Sequence, residues 1–210
     1  MLLITFMPFV ASAQNAVGPN LIESDLPFTP EGKIESVENK YRPQREFNKI
    51  ESGILNGVAY RVYYSDGSGF FAGTAGNTGH QSEPLDSNWS VACKKDSMND
   101  TKQCYMKMKD LWIFVYPKSK VSISVGHDRY PRSSVAIRID QGKPFETLPK
   151  DEGQFSSIVS VKLIPLLGKS QTITTRFVKW PQQNWIDKSW EMYGFNETYK
   201  YISWAVEHIK

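Results

Sequence analysis

The sequence contains only two cysteines, Cys93 and Cys104, and each lies in a run where apolar residues recur at every second position. The alternating positions are Trp89, Val91, Cys93, Cys104, Met106 and Met108. This period is typical of half-buried strands, and the polar residues 94–102 between the runs are rich in turn formers. We therefore predict a β-hairpin closed by a Cys93–Cys104 disulfide, with two free thiols as the alternative. Closing so small a loop stabilises a fold by roughly 3 kcal/mol.

The two strands of this hairpin belong to a series of short predicted strands. From residue 88 onward their spacing is 8–12 residues, which is typical of antiparallel sandwiches. The predicted strands are 58–64, 89–94, 103–107, 111–116, 121–125, 135–140 and 171–178. Residues 156–167 fit either a strand or a short helix that ends at Gly168. A C-terminal helix capped by Asn196 is expected, and its apolar face consists of Tyr199, Ile202, Val206 and Ile209. The predicted fold is mainly β: an antiparallel β-sandwich with a C-terminal helix and an N-terminal extension.

The first residues resemble an export signal. Residues 2–10 are apolar apart from Thr5, and Ala11-Ser12-Ala13 supplies small residues at a cleavage site. We predict a signal peptide over residues 1–13 and a mature protein that begins at Gln14, although no basic residue precedes the apolar run. A buried N-terminal strand is the alternative. No later segment has the roughly 20 apolar residues of a membrane span. Because of the predicted signal peptide, we expect a periplasmic or secreted bacterial protein.

Residues 14–87 are expected to form an N-terminal extension and a glycine-rich connector, with the sandwich domain over residues 88–210 and a boundary near Asp86. A short helix is predicted to begin at Thr29-Pro30, with Ile34 and Val37 on one face. The glycines of residues 67–79 fit neither a G-x-G-x-x-G fingerprint nor a phosphate-binding loop.

Several short patterns resemble one group of exported proteins. They are Trp89-x-Val91-x-Cys93, Asp96-x-Met98-x-Asp100 followed by Cys104, Arg138-x-Asp140, and Tyr193-Gly194-Phe195 before the terminal helix. From about residue 88 to residue 210, the chain resembles small exported bacterial envelope domains of the invasion-associated locus B type. The resemblance implies an antiparallel β-sandwich outside the cytoplasm and supplies no catalytic residues. The chain differs from that type by lacking a second cysteine pair and by its long N-terminal extension.

Charge and ligand patterns argue against several functions. The formal net charge is +3, and basic residues are interspersed with acidic ones, so we expect no nucleic-acid binding. Asp96, Asn99 and Asp100 lie close together, but no glycine provides the sharp turn of a calcium loop. They are expected to close the hairpin through side-chain hydrogen bonds. We predict no metal and no cofactor.

A catalytic centre is not evident. His127 can be combined with Ser133 or Ser134 and Asp140 into a triad, but no G-x-S-x-G nucleophile motif is present. Acidic residues that could form a glycosidase pair occur at Asp128, Glu146, Asp151 and Glu152. We expect that the protein is not an enzyme, and an envelope hydrolase acting on peptidoglycan or glycans remains the alternative.

Aromatic residues crowd the C-terminal third, and aromatic rings are enriched at recognition surfaces. The predicted binding residues are Trp180, Trp185, Trp190, Tyr193 and Arg138. The alternatives are that these rings pack the terminal helix onto the sheet and that Arg138 pairs with Asp140. The predicted function is a non-enzymatic exported binding module for an envelope protein or glycan. A structural subunit of a surface assembly is a further alternative, and the sequence does not indicate an oligomeric state.

Overall fold

The computed structural model describes residues 21–22, 24, 26, 33–38, 47–84 and 86–210. The predicted signal peptide and the predicted helix start at Thr29-Pro30 lie outside these residues. The strands are β1 Lys33–Glu38, β2 Phe47–Leu55, β3 Val58–Tyr63, β4 Gly69–Ala72, β5 Asn88–Lys95, β6 Lys102–Met108, β7 Leu111–Tyr116, β8 Lys120–Val125, β9 Ala136–Ile139, β10 Phe145–Glu146, β11 Thr172–Lys179 and β12 Asn184–Glu191. The helices are α1 Ser157–Leu167 and α2 Phe195–His208, and a 3-10 turn covers Pro149–Asp151.

The strands form two antiparallel sheets. In the larger sheet β1 to β8 are neighbours in sequence order, and in the smaller sheet the order is β10-β9-β11-β12. Short connections join β2 to β3, β3 to β4 and the consecutive strands from β5 to β8, which is the local topology that alternating strands and turn residues favour, whereas 15 residues separate β4 from β5. The predicted mainly β, antiparallel fold with a C-terminal helix is confirmed.

The larger sheet continues across the domain boundary predicted near Asp86. Strand β4 pairs with β5 through Phe71 opposite Trp89 and Ala72 opposite Asn88. Residues 47–84 therefore build the same sheet as residues 88–125. The glycine-rich segment contributes β4, where a Cβ on Gly69 would lie 2.5 Å from the carbonyl oxygen of Arg61. Such close strand approach requires glycine.

The predicted hairpin and its disulfide are confirmed. Cys93 of β5 lies directly opposite Cys104 of β6, and the two sulfur atoms are bonded. In the connecting turn, Asp96 accepts a hydrogen bond from the backbone N–H of Met98, and Asn99 accepts one from Thr101. No group of residues in the described part of the chain is arranged to hold a metal ion.

Three local predictions were wrong or incomplete. The segment predicted as a helix around Ile34 and Val37 is strand β1, which pairs with β2 along its whole length, so pairing overrides the weak helical spacing. The ambiguous segment is helix α1, whose N-cap Ser156 accepts a hydrogen bond from the N–H of Val159. Residues 184–191, left without structure by the sequence pattern, form the edge strand β12.

Helix α2 covers the inner face of the larger sheet and contacts β5, β6 and β7. It begins before the predicted cap: the N-cap is Gly194 at φ 74°, and Asn196 instead donates a hydrogen bond to the carbonyl of Gly168. A Cβ on Gly194 would lie 2.2 Å from the carbonyl oxygen of Ala72, so both the backbone angle and the contact require glycine. No helix in the described part of the chain is both long and apolar enough to cross a membrane.

Tyr201 of α2 should make stability sensitive to alkaline pH. Its ring is fully buried, and its hydroxyl donates a hydrogen bond to the carbonyl of Gly67 at 2.9 Å. Burial, reinforced by the charge of Asp66, raises the pKa of Tyr201 well above its usual value. A raised pKa means that the folded protein retains this proton when the unfolded chain loses it. The stabilisation is therefore complete below about pH 10 and is lost progressively as the pH rises further.

Urea unfolding between pH 8 and pH 11 measures this effect. We expect the free energy of unfolding to fall more steeply above pH 10 in the wild type than in Tyr201→Phe. Tyr116→Phe, at a partly exposed position of β7, is the matched control and should keep the wild-type slope. Equal slopes for the wild type and Tyr201→Phe would contradict the prediction.

Candidate functional site

The outer face of the larger sheet carries a stripe of contacting aromatic rings, formed by Tyr105 of β6 and by Trp112 and Phe114 of β7. The ring centroid of Trp112 lies 5.4 Å from that of Tyr105 and 6.1 Å from that of Phe114. The rings of Trp112 and Phe114 are nearly parallel, at 10°. All three side chains are partly exposed. We call these three residues the aromatic stripe.

The register of β6 and β7 produces this stripe. Tyr105 lies opposite Phe114 and Lys107 lies opposite Trp112, and side chains directly opposite each other in an antiparallel pair are close enough to interact. The intervening residues Met106 and Ile113 point to the core and are fully buried. The Lys107 ammonium lies 4.5 Å from the centre of the Trp112 ring, so it continues the stripe as a cation over an aromatic face.

A polar cavity of about 630 Å³ adjoins one end of the stripe. Phe114 and the β8 residues Ser122 and Ser124 lie on one side, and the segment 150–157 forms the other. The lining is mostly polar, and its hydroxyl and amide groups come from Ser122, Ser124, Gln154, Ser156 and Ser157. We call this cavity the serine-lined groove. Its mixture of two aromatic rings, Phe114 and Phe155, with many hydrogen-bonding groups suits a polar ligand that also has an apolar face.

Arg129 fixes the wall of the serine-lined groove. Its guanidinium donates hydrogen bonds to the carbonyls of Val125 and Gly126, both at 2.8 Å, and to the carbonyl of Glu152. Burial lowers the pKa of Arg129, and the charge of Glu152 partly opposes that effect. A Cβ on Gly153 would lie 2.4 Å from the Arg129 Nε atom. The loop after the 3-10 turn is therefore held against β8 by a side chain that a larger residue at position 153 would displace.

A second cavity, of about 340 Å³, lies at the other end of the stripe, where the β6–β7 turn meets the smaller sheet. Its lining residues are Asp86, Lys107, Lys109, Asp110, His127, Lys188 and Ser189. We call it the lysine-lined pocket. Lys107 lines this pocket and Phe114 lines the serine-lined groove. Because Trp112 contacts both of these residues, the aromatic stripe lies between the two cavities.

Asp110 organises the lysine-lined pocket, although its side chain is fully buried. The Nζ atom of Lys188 lies 2.8 Å from one Asp110 oxygen, and His127 Nδ1 lies 3.2 Å from the other. Both contacts are ion-pair distances, but neither has the alignment of a directional hydrogen bond. Lys188 comes from β12 and Asp110 from the β6–β7 turn, so this contact also joins the two sheets.

The triad considered from the sequence is not assembled. His127 contacts the carboxylates of Asp110 and Asp128, the latter at 3.9 Å. Ser133 donates its hydroxyl hydrogen to the carbonyl of Tyr130. Asp140 accepts hydrogen bonds from the backbone N–H groups of Gln171 and Thr172 at 3.0 and 2.9 Å, so it holds the start of β11 instead of orienting His127 or pairing with Arg138.

The predicted binding residues divide into two groups. Trp180 and Trp185 are more than half exposed, and Trp180 packs on the ring of Tyr130. Trp190 is only 7% exposed, and the Tyr193 hydroxyl donates a hydrogen bond to the carbonyl of Gly57. Trp190 and Tyr193 therefore help to pack the protein, as the alternative interpretation proposed, and the five residues do not form one surface.

Arg138 lies on the exposed face of the smaller sheet, beside the Arg176–Asp187 ion pair. Arg176 donates two hydrogen bonds to Asp187, one of them at 2.7 Å. These bonds lower the pKa of Asp187, and the charge of Arg138 contributes to the same shift. Arg138 thus adds a second cation to a paired carboxylate, on a different face from the aromatic stripe.

The sequence contained a signal for the aromatic stripe. Residues 111–116 read Leu-Trp-Ile-Phe-Val-Tyr, in which both faces of an antiparallel strand are apolar or aromatic. A strand of a two-sheet protein usually has one polar face, so three large rings on the outer side require a structural or functional reason. Composition drew attention to the C-terminal tryptophans instead, because they are closer together in the sequence.

No protein-family model, curated protein or solved structure matches this chain. The resemblance to exported domains of the invasion-associated locus B type therefore remains a prediction. The functional interpretation depends on the geometry of the aromatic stripe and its two cavities.

Proposed function

We propose that the protein is a non-enzymatic binding module that recognises a glycan through the outer face of its larger sheet. The observation that carries this proposal is the partly exposed aromatic stripe, which runs between two cavities lined mainly by polar side chains. The site is formed by neighbouring strands of one sheet, so its rings are held in place before a ligand arrives. Preorganisation of this kind reduces the entropy lost on binding.

A sugar has the two properties that this surface matches. One face of a pyranose ring is formed by C–H groups, which pack on an aromatic ring, and its edge carries hydroxyl groups, which need hydrogen-bond partners. The aromatic stripe offers the first contact, and Ser122, Ser124 and Gln154 of the serine-lined groove offer the second.

A glycan fits this surface better than a protein partner. Protein interfaces usually have a desolvated apolar centre with a polar rim. Here three mutually contacting rings, with centroids 5.4–6.1 Å apart, remain partly exposed, and cavities lined mainly by polar side chains adjoin them. We therefore favour the glycan among the two partner classes predicted from the sequence.

The proposed site of action is outside the cytoplasm, in the periplasm or after secretion from a bacterium. The Cys93–Cys104 disulfide supports this location because such bonds persist in oxidising compartments. The apolar residues 2–10 followed by Ala-Ser-Ala support it independently as an export signal. The resemblance to exported envelope domains is consistent with both features.

Trp112→Ala tests the proposed site. We expect at least a tenfold loss of affinity for purified cell-wall polysaccharide, measured by affinity electrophoresis and calorimetry, because the ring that contacts Tyr105, Phe114 and the Lys107 ammonium is removed. Trp185→Ala is the matched control, since Trp185 is 58% exposed on the smaller sheet. Trp112→Phe retains a ring and should bind more tightly than Trp112→Ala, while circular dichroism verifies the fold of each variant.

Two results would contradict the proposed site. Wild-type affinity in folded Trp112→Ala would exclude the aromatic stripe as the binding surface. Loss of affinity in Trp185→Ala alone would instead support the C-terminal surface predicted from the sequence.

An envelope hydrolase is a second candidate, favoured by one observation. The buried Asp110 carboxylate lies 3.2 Å from Nδ1 of the half-exposed His127, and a carboxylate that hydrogen-bonds to Nδ1 orients a histidine that acts as a general base. Release of new reducing ends from cell-wall polysaccharide, abolished by His127→Ala without loss of binding, would identify this activity. An unchanged polysaccharide after incubation with the wild type would support the binding module alone.

A further inference from the structure

We propose that the glycan is acidic and that the lysine-lined pocket receives its carboxylate or sulfate groups. This inference rests on the proposed glycan binding at the aromatic stripe and specifies the class of glycan. The feature that carries it is a pair of lysines, Lys107 and Lys109, which open to the same pocket.

Within the part of the chain that the structure describes, neither of these two lysines forms an ion pair with a carboxylate. Among the described residues, the ammonium of Lys107 contacts the ring of Trp112, and that of Lys109 lies 5.4 Å from the centre of the Trp190 ring. An aromatic face attracts the cation without removing its charge, and it leaves the N–H groups available to other acceptors. Both ammonium groups are therefore held in place while their charge stays available to an anion.

The third lysine of the pocket differs from Lys107 and Lys109 because it is paired with a carboxylate. Lys188 is paired with the buried Asp110 at 2.8 Å, which fixes its position but largely compensates its charge. Three lysines and two aspartates line the pocket, which leaves a net charge of +1 while His127 is neutral. Since Asp110 is committed to Lys188 and His127, Asp86 is the only other carboxylate that opposes Lys107 and Lys109 in this pocket.

The pocket and the aromatic stripe are arranged to bind one ligand together. Lys107 lies directly over Trp112, so a sugar ring that packs near Trp112 brings its substituents close to the Lys107 ammonium. An anionic substituent there forms a charge-assisted hydrogen bond, which is stronger than the bond that a neutral hydroxyl forms. An acidic polysaccharide presents such groups at regular intervals along the same chain that packs on the rings.

Two pairs of polymers test the inference with the full chain. Polygalacturonate and its fully methyl-esterified form share a backbone and differ in the carboxylate charge, and dextran sulfate and dextran differ in sulfate. The Lys107→Gln, Lys109→Gln double variant removes both charges, and Lys162→Gln, at an exposed position of α1, is the control for removing a lysine charge outside the pocket. Binding is measured by affinity electrophoresis at two salt concentrations, with thermal unfolding as the test of folding.

We expect the wild type to bind at least one charged polymer at least tenfold more tightly than its neutral partner, and the charged polymer that binds identifies carboxylate or sulfate. The double variant should lose most of this preference and of its salt dependence, whereas Lys162→Gln should keep both. Equal affinity of the wild type for the charged and neutral members of both pairs would overturn the inference. A preference for the charged polymer that survives in the double variant, or that falls equally in Lys162→Gln, would also overturn it. Trp112→Ala separates the two proposals, because it should weaken binding of charged and neutral polymers alike.

Discussion

Replacing Trp89 with alanine is expected to lower the free energy of unfolding by about 3–5 kcal/mol, the usual effect of truncating a large buried ring. Trp89 is fully buried at the junction of β4, β5 and helix α2. Its ring packs edge-on against Phe195, with 5.6 Å between centroids, and its Nε1–H donates a hydrogen bond to the carbonyl of Tyr193 at 2.9 Å. The change therefore leaves both a cavity and an unpaired carbonyl where the terminal helix begins.

Urea denaturation followed by circular dichroism measures the loss, and Trp185→Ala provides the comparison. The Trp185 ring is 58% exposed and lies near Arg176, so its removal should change the free energy of unfolding by less than about 1 kcal/mol. Trp89→Phe should fall between these values, since it retains most of the apolar volume. Similar losses for the two alanine variants would show that Trp89 does not anchor α2 as described.

The second large effect is expected at Lys188. Lys188→Met should destabilise the protein by about 2–3 kcal/mol because it leaves the fully buried Asp110 carboxylate with His127 as its remaining contact. Asp110→Asn should cost less, since it leaves the partly exposed Lys188 ammonium in contact with water. The double variant, Asp110→Asn with Lys188→Met, should recover part of the loss because no buried charge remains without a partner.

This order of stabilities distinguishes an inter-sheet ion pair from simple packing. Chemical denaturation of the four proteins at pH 8 gives the coupling free energy between the two positions. Additive losses would mean that the contact between Lys188 and Asp110 contributes nothing beyond the individual side chains. A larger loss of stability for Asp110→Asn than for Lys188→Met would contradict the proposal that the buried Asp110 depends more on the pair than the partly exposed Lys188 does.

The strands that the sequence predicted best are those with at least one clearly apolar face. The run from Leu111 to Tyr116 matches β7 at both ends, and the alternation around Cys93 and Cys104 predicted their pairing. The prediction failed where tertiary pairing decides the structure. Strand β4 is short and lies in a glycine-rich segment, and β12 carries Trp185, Asp187 and Lys188 with little alternation, so each is stabilised mainly by its neighbours.

The candidate site was harder to predict, because its residues are brought together by register and by contacts between the sheets. Lys107 and Trp112 are opposite each other only because β6 and β7 pair in one register, and a shift of one residue would bury them. In the sequence, nothing distinguishes Asp110 from an ordinary turn residue. Its burial depends on Lys188, 78 positions later, and no local pattern connects the two.

The position of α2 in the chain affects the order in which the protein can fold. The inner faces of β5, β6 and β7 are covered by this helix, which follows every strand in the sequence. A nascent chain that has made its larger sheet but not yet α2 therefore exposes a wide apolar surface, and exposed surface of this kind makes a partly folded chain prone to aggregate until the helix packs.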